Sequence, residues 1–128
     1  MYLFVFILLI ILTYYSIFDS TTRKIQADLE KLEPNLNFLV VKNNLNGNTF
    51  TVAKSLIYIC TNTEEYNTLL YVAIHELAHV KNKTLGHDKD FVEVFKELLE
   101  KSVQLGIYKW VDYKITPKKY CNYFLDSY

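Results

Sequence analysis

The chain has 128 residues, enough for one domain of about 100 residues with its own core and too few for two. Fourteen Lys and Arg balance fourteen Asp and Glu, and all of them lie after residue 18, so nucleic-acid binding through a bulk basic excess is excluded. Eleven tyrosines and eight phenylalanines against three glycines and two prolines favour packed regular elements over long flexible loops.

Residues 1–18, MYLFVFILLIILTYYSIF, carry no charged side chain. As a helix they would measure about 27 Å, just enough for a hydrocarbon core of about 30 Å, so a transmembrane helix with the lipid bilayer as partner is expected. No Lys or Arg precedes the run, and bulky Tyr14, Tyr15, Ile17 and Phe18 end it, which fits an uncleaved anchor better than a signal peptide. Arg23 and Lys24 follow it, and by the positive-inside rule they favour the cytosolic side for the domain. The expected organisation is a single-pass membrane protein: residues 1–18 the anchor, residues 19–128 one domain.

Residues 19–33 predict an amphipathic helix, with Ser20 or Thr21 as cap, Ile25, Leu29 and Leu32 as its apolar stripe, and Pro34 beyond its end. Residues 36–42 read as a strand, followed by a turn signal from Asn43 to Asn48 that contains Gly47. Residues 50–53 and 56–60 read as two more short strands, giving a small, mainly antiparallel sheet of three. Two helices are expected over 66–82 and 89–105, with Asn62 and Thr63 before the first and Gly106 after the second. On the second, Phe91, Val92, Val94, Phe95, Leu98, Leu99 and Val103 fall on one face, and Glu93 and Glu97 on the charged face opposite. The aromatic tail from Gly106 onward wraps the domain by a course that the pattern does not give. Cys60 and Cys121 are too few for a disulfide framework or a CxxC zinc site; two buried free thiols are the expectation, one disulfide pinning the tail to a strand the alternative.

The chemistry is concentrated in His75-Glu76-Leu77-Ala78-His79. On a helix the two histidines sit about 40° apart, so both imidazoles can reach one metal ion. Zinc takes two imidazoles readily, and a third protein ligand leaves its fourth position open for water. Glu76 lies about 100° round from His75 and can approach that water as a base without being a ligand. Leu69, Leu70, Ala73, Ile74, Leu77, Ala78 and Val80 fill the opposite half of the wheel, so apolar packing holds this helix from behind.

His87 is the remaining histidine, eight residues beyond His79 and between Gly86 and Asp88. Gly86 can turn the chain back, and Asp88 can cap the next helix, support a ligand imidazole, or do both. A three-histidine zinc site is the economical reading; a carboxylate from Glu93 or Glu97 is the competing third ligand.

The segment HELAHVKNKTLGHDKDFVEVF resembles the metallopeptidase core of the WLM and SprT-like families, in which HExxH is followed by a short loop, a third histidine and a phenylalanine-bearing helix. Through FKELLEKSVQLGIY and the YC of the tail the pattern is similar to short membrane-anchored metallopeptidases of large DNA viruses, and it covers roughly residues 50–125. The resemblance implies an α+β, zincin-like fold, zinc on His75, His79 and His87, Glu76 as general base, and an edge strand near the site helix that binds an extended peptide or protein substrate. The gap to the third histidine is longer than in WLM proteins, and Leu85 stands where the HExxHxxGxxH pattern would place its last histidine. No DNA-binding extension is present, so a role in cleaving DNA-protein crosslinks does not carry over. Tyr108, Tyr113 and Tyr120 are candidate oxyanion stabilisers, with packed surface tyrosines as the plainer reading. A membrane-anchored zinc-binding interaction or virion protein without catalysis is the alternative function; the oligomeric state is not legible.

Overall fold

The computed structural model describes residues 2–43, 48–62, 65–82 and 86–126. Most of the expected turn after the first strand, Thr63 of the expected helix signal, and Leu85 lie outside them.

α1 covers Tyr2–Ile17, 16 residues. Its described side chains, Tyr2 to Tyr14, are all exposed to solvent. At about 1.5 Å per residue it measures about 24 Å, and among the described residues no helix is long and apolar enough to cross a membrane. α1 stops one residue short of the expected segment, at Ile17, with Phe18 N still donating to Tyr14 O at 2.9 Å, and Asp19 already caps the next element.

α2, Ser20–Leu32, follows after only those two residues. Its cap is Asp19, one residue before the expected Ser20 or Thr21; the Asp19 carboxylate accepts from Thr22 N at 2.8 Å and from the Thr22 hydroxyl. Both bonds stabilise the ionised form and, with Lys42 3.5 Å away, hold the Asp19 pKa below the ordinary value against the opposing effect of burial. Ile25, Leu29 and Leu32 are fully buried, and each such side chain contributes roughly 1.5–3 kcal/mol of hydrophobic stabilisation.

The sheet contains β1 (Leu39–Lys42), β2 (Phe50–Val52) and β3 (Leu56–Ile59) in the order β1-β3-β2. β1 pairs with β3 in parallel, Val40 opposite Ile57, and β2 pairs with β3 antiparallel, Thr51 opposite Ile57. The sheet is therefore mixed rather than mainly antiparallel. β3 carries two fully buried isoleucines, Ile57 and Ile59, and takes the centre, which among the described residues leaves β2 at an edge of the sheet.

α3 (Tyr66–Lys81) covers the sheet together with α2, and α4 (Lys89–Gln104) packs against α3 and α2. The seven apolar residues of α3 named from the wheel are all buried. On α4 Phe91, Phe95, Leu98 and Leu99 are buried as expected; Val103 is exposed, and buried Ser102 takes the inward place by donating its hydroxyl to Leu99 O. Gly106, at φ +74°, ends α4, where a residue with a Cβ would be strained.

The tail forms a second, two-stranded sheet, β4 (Lys118–Tyr120) and β5 (Tyr123–Leu125). Cys121, in its turn, is joined to Cys60 at the end of β3 by a disulfide, so the free-thiol expectation is overturned and the pinned-tail alternative holds. Beside it the buried Tyr120 hydroxyl donates to Cys60 O at 2.7 Å and accepts from Cys60 N at 3.1 Å. That hydroxyl satisfies both backbone groups where the β3 ladder stops.

Candidate metal centre

His75, Glu76 and His79 lie on the face of α3 turned toward Phe91 of α4 and toward the edge strand β2. His87 comes from the segment between α3 and α4. Gly86, at φ +82°, supplies a left-handed backbone turn that other residues adopt at a cost. Asp88 then caps α4 by accepting from Phe91 N at 3.0 Å, which fixes the backbone next to His87. The cap expectation for Asp88 is met.

The three imidazoles converge. His87 Nε2 lies 3.2 Å from His75 Nε2 and 2.9 Å from His79 Nε2, and the ligand nitrogens of all three fall within 4.8 Å of one another. For bonds of about 2.0–2.1 Å to a tetrahedral zinc, the spacing between ligand nitrogens is about 3.3–3.4 Å, so the two measured separations are near what one ion requires. Hydrogen bonding satisfies the arrangement less well: a single proton on His87 Nε2 serves one neighbour and leaves the other ring nitrogen facing it uncompensated. The donor set fits a metal ion. Glu93 and Glu97 are exposed on the outer face of α4, and among the described residues the metal-competent cluster consists of the three histidines alone.

Phe91, fully buried, is the floor of this cluster. Its ring centroid lies 5.0 Å from that of His75, 4.4 Å from His79 and 4.8 Å from His87, so one side chain limits the tilt of all three ligands. Burial, reinforced by His79 and His87, pushes the His75 pKa down to about 3, and burial with His87 and Lys54 lowers that of His79. Both rings are held neutral, the form in which imidazole binds a metal.

Glu76 is 7% exposed, and its Oε2 lies 4.0 Å from His75 Nε2. Its other oxygen, Oε1, accepts a hydrogen bond of 2.8 Å from the Thr51 hydroxyl on β2. Burial raises the Glu76 pKa, and the Thr51 bond counters part of that rise by favouring the ionised form. On the same edge Lys54 Nζ donates to His79 O at 3.3 Å and to Asn82 O, placing a positive charge on the carbonyl end of α3. Lys54 and Ala53 reach that position through φ of +54° and +52°, a turn that strains residues other than glycine.

These groups open into a cleft of about 620 Å³, bounded by Phe50 and Thr51 of β2, Tyr71 and Val72 of α3, and Leu125 of β5. Tyr108, Tyr113 and Tyr120 do not border it. All three are buried, which corrects the surface reading, and Tyr108 and Tyr113 pack around Tyr71, with ring centroids 6.3 and 4.6 Å from it. Thr51, Lys54, Tyr71 and Leu125 are the cleft residues that sequence reasoning missed. Strand alternation alone marks Thr51 as facing one side of the sheet, without telling which.

The chain is similar to uncharacterized proteins of large DNA viruses. It is 38% identical over 81 residues to uncharacterized protein 136R of Invertebrate iridescent virus 6, covering 57% of this chain and 44% of that protein. It is 36% identical over 101 residues to uncharacterized protein 042R of Invertebrate iridescent virus 3, covering 71% and 62%. To uncharacterized protein R325 of Acanthamoeba polyphaga mimivirus it is 38% identical over 63 residues, covering 49% and 32%. The chain thus spans less than two thirds of each of these relatives. No protein-family profile and no solved structure matches it.

Proposed function

We propose that the chain is a zinc-dependent metallopeptidase of zincin type, related to the WLM and SprT-like enzymes and held at a membrane by α1. The observation that carries this reading is the convergence of three imidazole nitrogens beside a buried carboxylate in a cleft edged by a free strand. His75, His79 and His87 are the ligands. They would hold a zinc ion, which when bound would supply Lewis-acid chemistry toward a scissile carbonyl and an attacking water. Glu76, oriented by Thr51, takes the proton of that water and returns it to the leaving amine. β2 offers its unpaired backbone edge beside the site, where an extended substrate segment adds as a further strand.

A non-catalytic, zinc-binding interaction or virion protein is less well supported. Structural zinc sites close with four protein ligands, whereas three are assembled among the described residues and a carboxylate stands next to them. The test is cleavage of a peptide library by the purified full chain in detergent. Cleavage that stops with a chelator and returns with added zinc is expected. No cleavage by the zinc-loaded protein would leave the interaction reading in its place.

A further inference from the structure

The reading that α1 inserts into a bilayer has a consequence for the rest of the domain. α1 measures about 24 Å against a hydrocarbon core of about 30 Å, and a short apolar helix is accommodated by drawing its flanking residues into the interface. Only Phe18 and Asp19 separate α1 from α2, and Asp19 is held by its bonds to Thr22 and its pairing with Lys42. With no linker, the end of the domain nearest α1 must lie against the headgroups.

That end carries a loop built to meet them. Lys24, in the second turn of α2, rests 3.9 Å over the Tyr66 ring at the start of α3, and Tyr66 in turn donates to Asp28 of α2. Tyr66, Asn67, Lys109, Trp110 and Val111 border one depression, so the 105–119 loop is joined through Tyr66 to Lys24 and Asp28 of α2. The loop is rigid. Asn67 bonds both the N–H and the carbonyl of Lys109 at 2.9 Å, buried Tyr113 anchors its middle, and Asp112 closes a turn by accepting from the backbone of Lys114, Ile115 and Thr116. Yet it holds Trp110 62% and Ile115 80% exposed. Between Leu105 and Lys119 there are four lysines, Lys109, Lys114, Lys118 and Lys119, against one acid, Asp112; Lys118 pairs with Glu65 of the same depression at 3.3 Å, which leaves Lys109 and Lys114 beside Trp110 and Ile115 in the chain. An exposed tryptophan and isoleucine set among lysines is the composition of a contact with an anionic interface.

We infer that the 105–119 loop is a second membrane contact, in which Trp110 and Ile115 enter the interface of an anionic lipid surface and the neighbouring lysines meet its headgroups. The loop and α1 together fix the orientation of the domain, a constraint that one short helix does not supply. The free edge β2 lies across the sheet from β1, the strand that α1 touches, so this posture leaves the cleft accessible.

Trp110 is the single tryptophan, so its fluorescence reports on the loop directly. The full chain is mixed with phosphatidylcholine vesicles, with or without phosphatidylserine and with brominated acyl chains, and the vesicles are floated. The expected result is that the chain floats in both cases and that Trp110 emission shifts to the blue and is quenched by bromine in the phosphatidylserine vesicles. Lys109→Gln with Lys114→Gln should float as well but lose most of that shift, since each lysine at an anionic surface is worth about fivefold in binding. A chain that floats while Trp110 stays unquenched at the emission of an exposed indole overturns the loop contact and leaves α1 insertion standing. A blue shift that rises with protein concentration and needs no vesicles overturns it in favour of a second copy. A chain that does not float overturns both.

Discussion

Glu76→Gln is expected to lower turnover by about two to four orders of magnitude while leaving zinc content and fold unchanged, because a general base contributes about that much to proton transfer. The carboxamide has almost the same shape and can still accept from Thr51, so the hydrogen bond that orients the side chain survives while the basic oxygen is lost. The buried position helps the variant fold: a carboxyl whose pKa is raised by desolvation is replaced by a neutral group. The check is paired measurement of cleavage rate and zinc per chain. A variant that retains wild-type turnover would remove Glu76 from the chemistry, and one that loses zinc as well would make it a structural support.

Removing the disulfide, by Cys60→Ala with Cys121→Ala, is expected to lower the free energy of unfolding by about 4 kcal/mol, the chain-entropy value for a loop of this size. The two cysteines are 61 residues apart, and the loop they close includes α3 and α4, so the crosslink restricts much of the unfolded domain. Denaturant titration of the two forms at fixed zinc gives the difference. An unchanged midpoint would contradict it, as would two titratable thiols in the wild-type chain. The effect also reaches the cleft. Tyr120 and Leu125 belong to the hairpin that the disulfide holds, the first bonded to Cys60 and the second bordering the site.

The disulfide bears on the proposed membrane attachment as well. Arg23 and Lys24 favour the cytosolic side, whereas a stable disulfide belongs to an oxidising environment. The two signals oppose each other. The structural one rests on a formed bond, the other on two charges.

The helices were legible in the sequence because their signals are local. Ile25, Leu29 and Leu32 recur at helical spacing, and the seven apolar residues opposite His75 and His79 on the wheel are all buried. The α2 cap moved by one residue because Asp19, Ser20 and Thr21 are all competent caps, and only the fold places Asp19 beside Lys42. The sheet order was not legible. The pattern gives a mainly antiparallel sheet of three without an order, but β3 enters between β1 and β2 and pairs with β1 in parallel, a non-local choice made by burial of Ile57 and Ile59. The turn at Ala53 and Lys54 carries no glycine or asparagine, and the turn of the tail places Cys121 at φ +51°, so neither announces itself.

The same division holds in the candidate site. His75, Glu76, His79 and His87 share one helix and the segment after it, and short-range spacing alone assembles them. Thr51, Lys54 and Leu125 reach the site only because β2 and β5 pack beside α3, which no spacing in the chain records.

The central claim is that three imidazoles of this chain bind one zinc ion. It is tested most directly by the zinc content of the purified full chain and of His87→Ala after exhaustive dialysis against metal-free buffer. One zinc per chain in the wild type, with most of it lost in the variant while the helical spectrum is kept, is the expected result. A wild-type chain that retains no zinc, or a variant that retains all of it, would contradict the account.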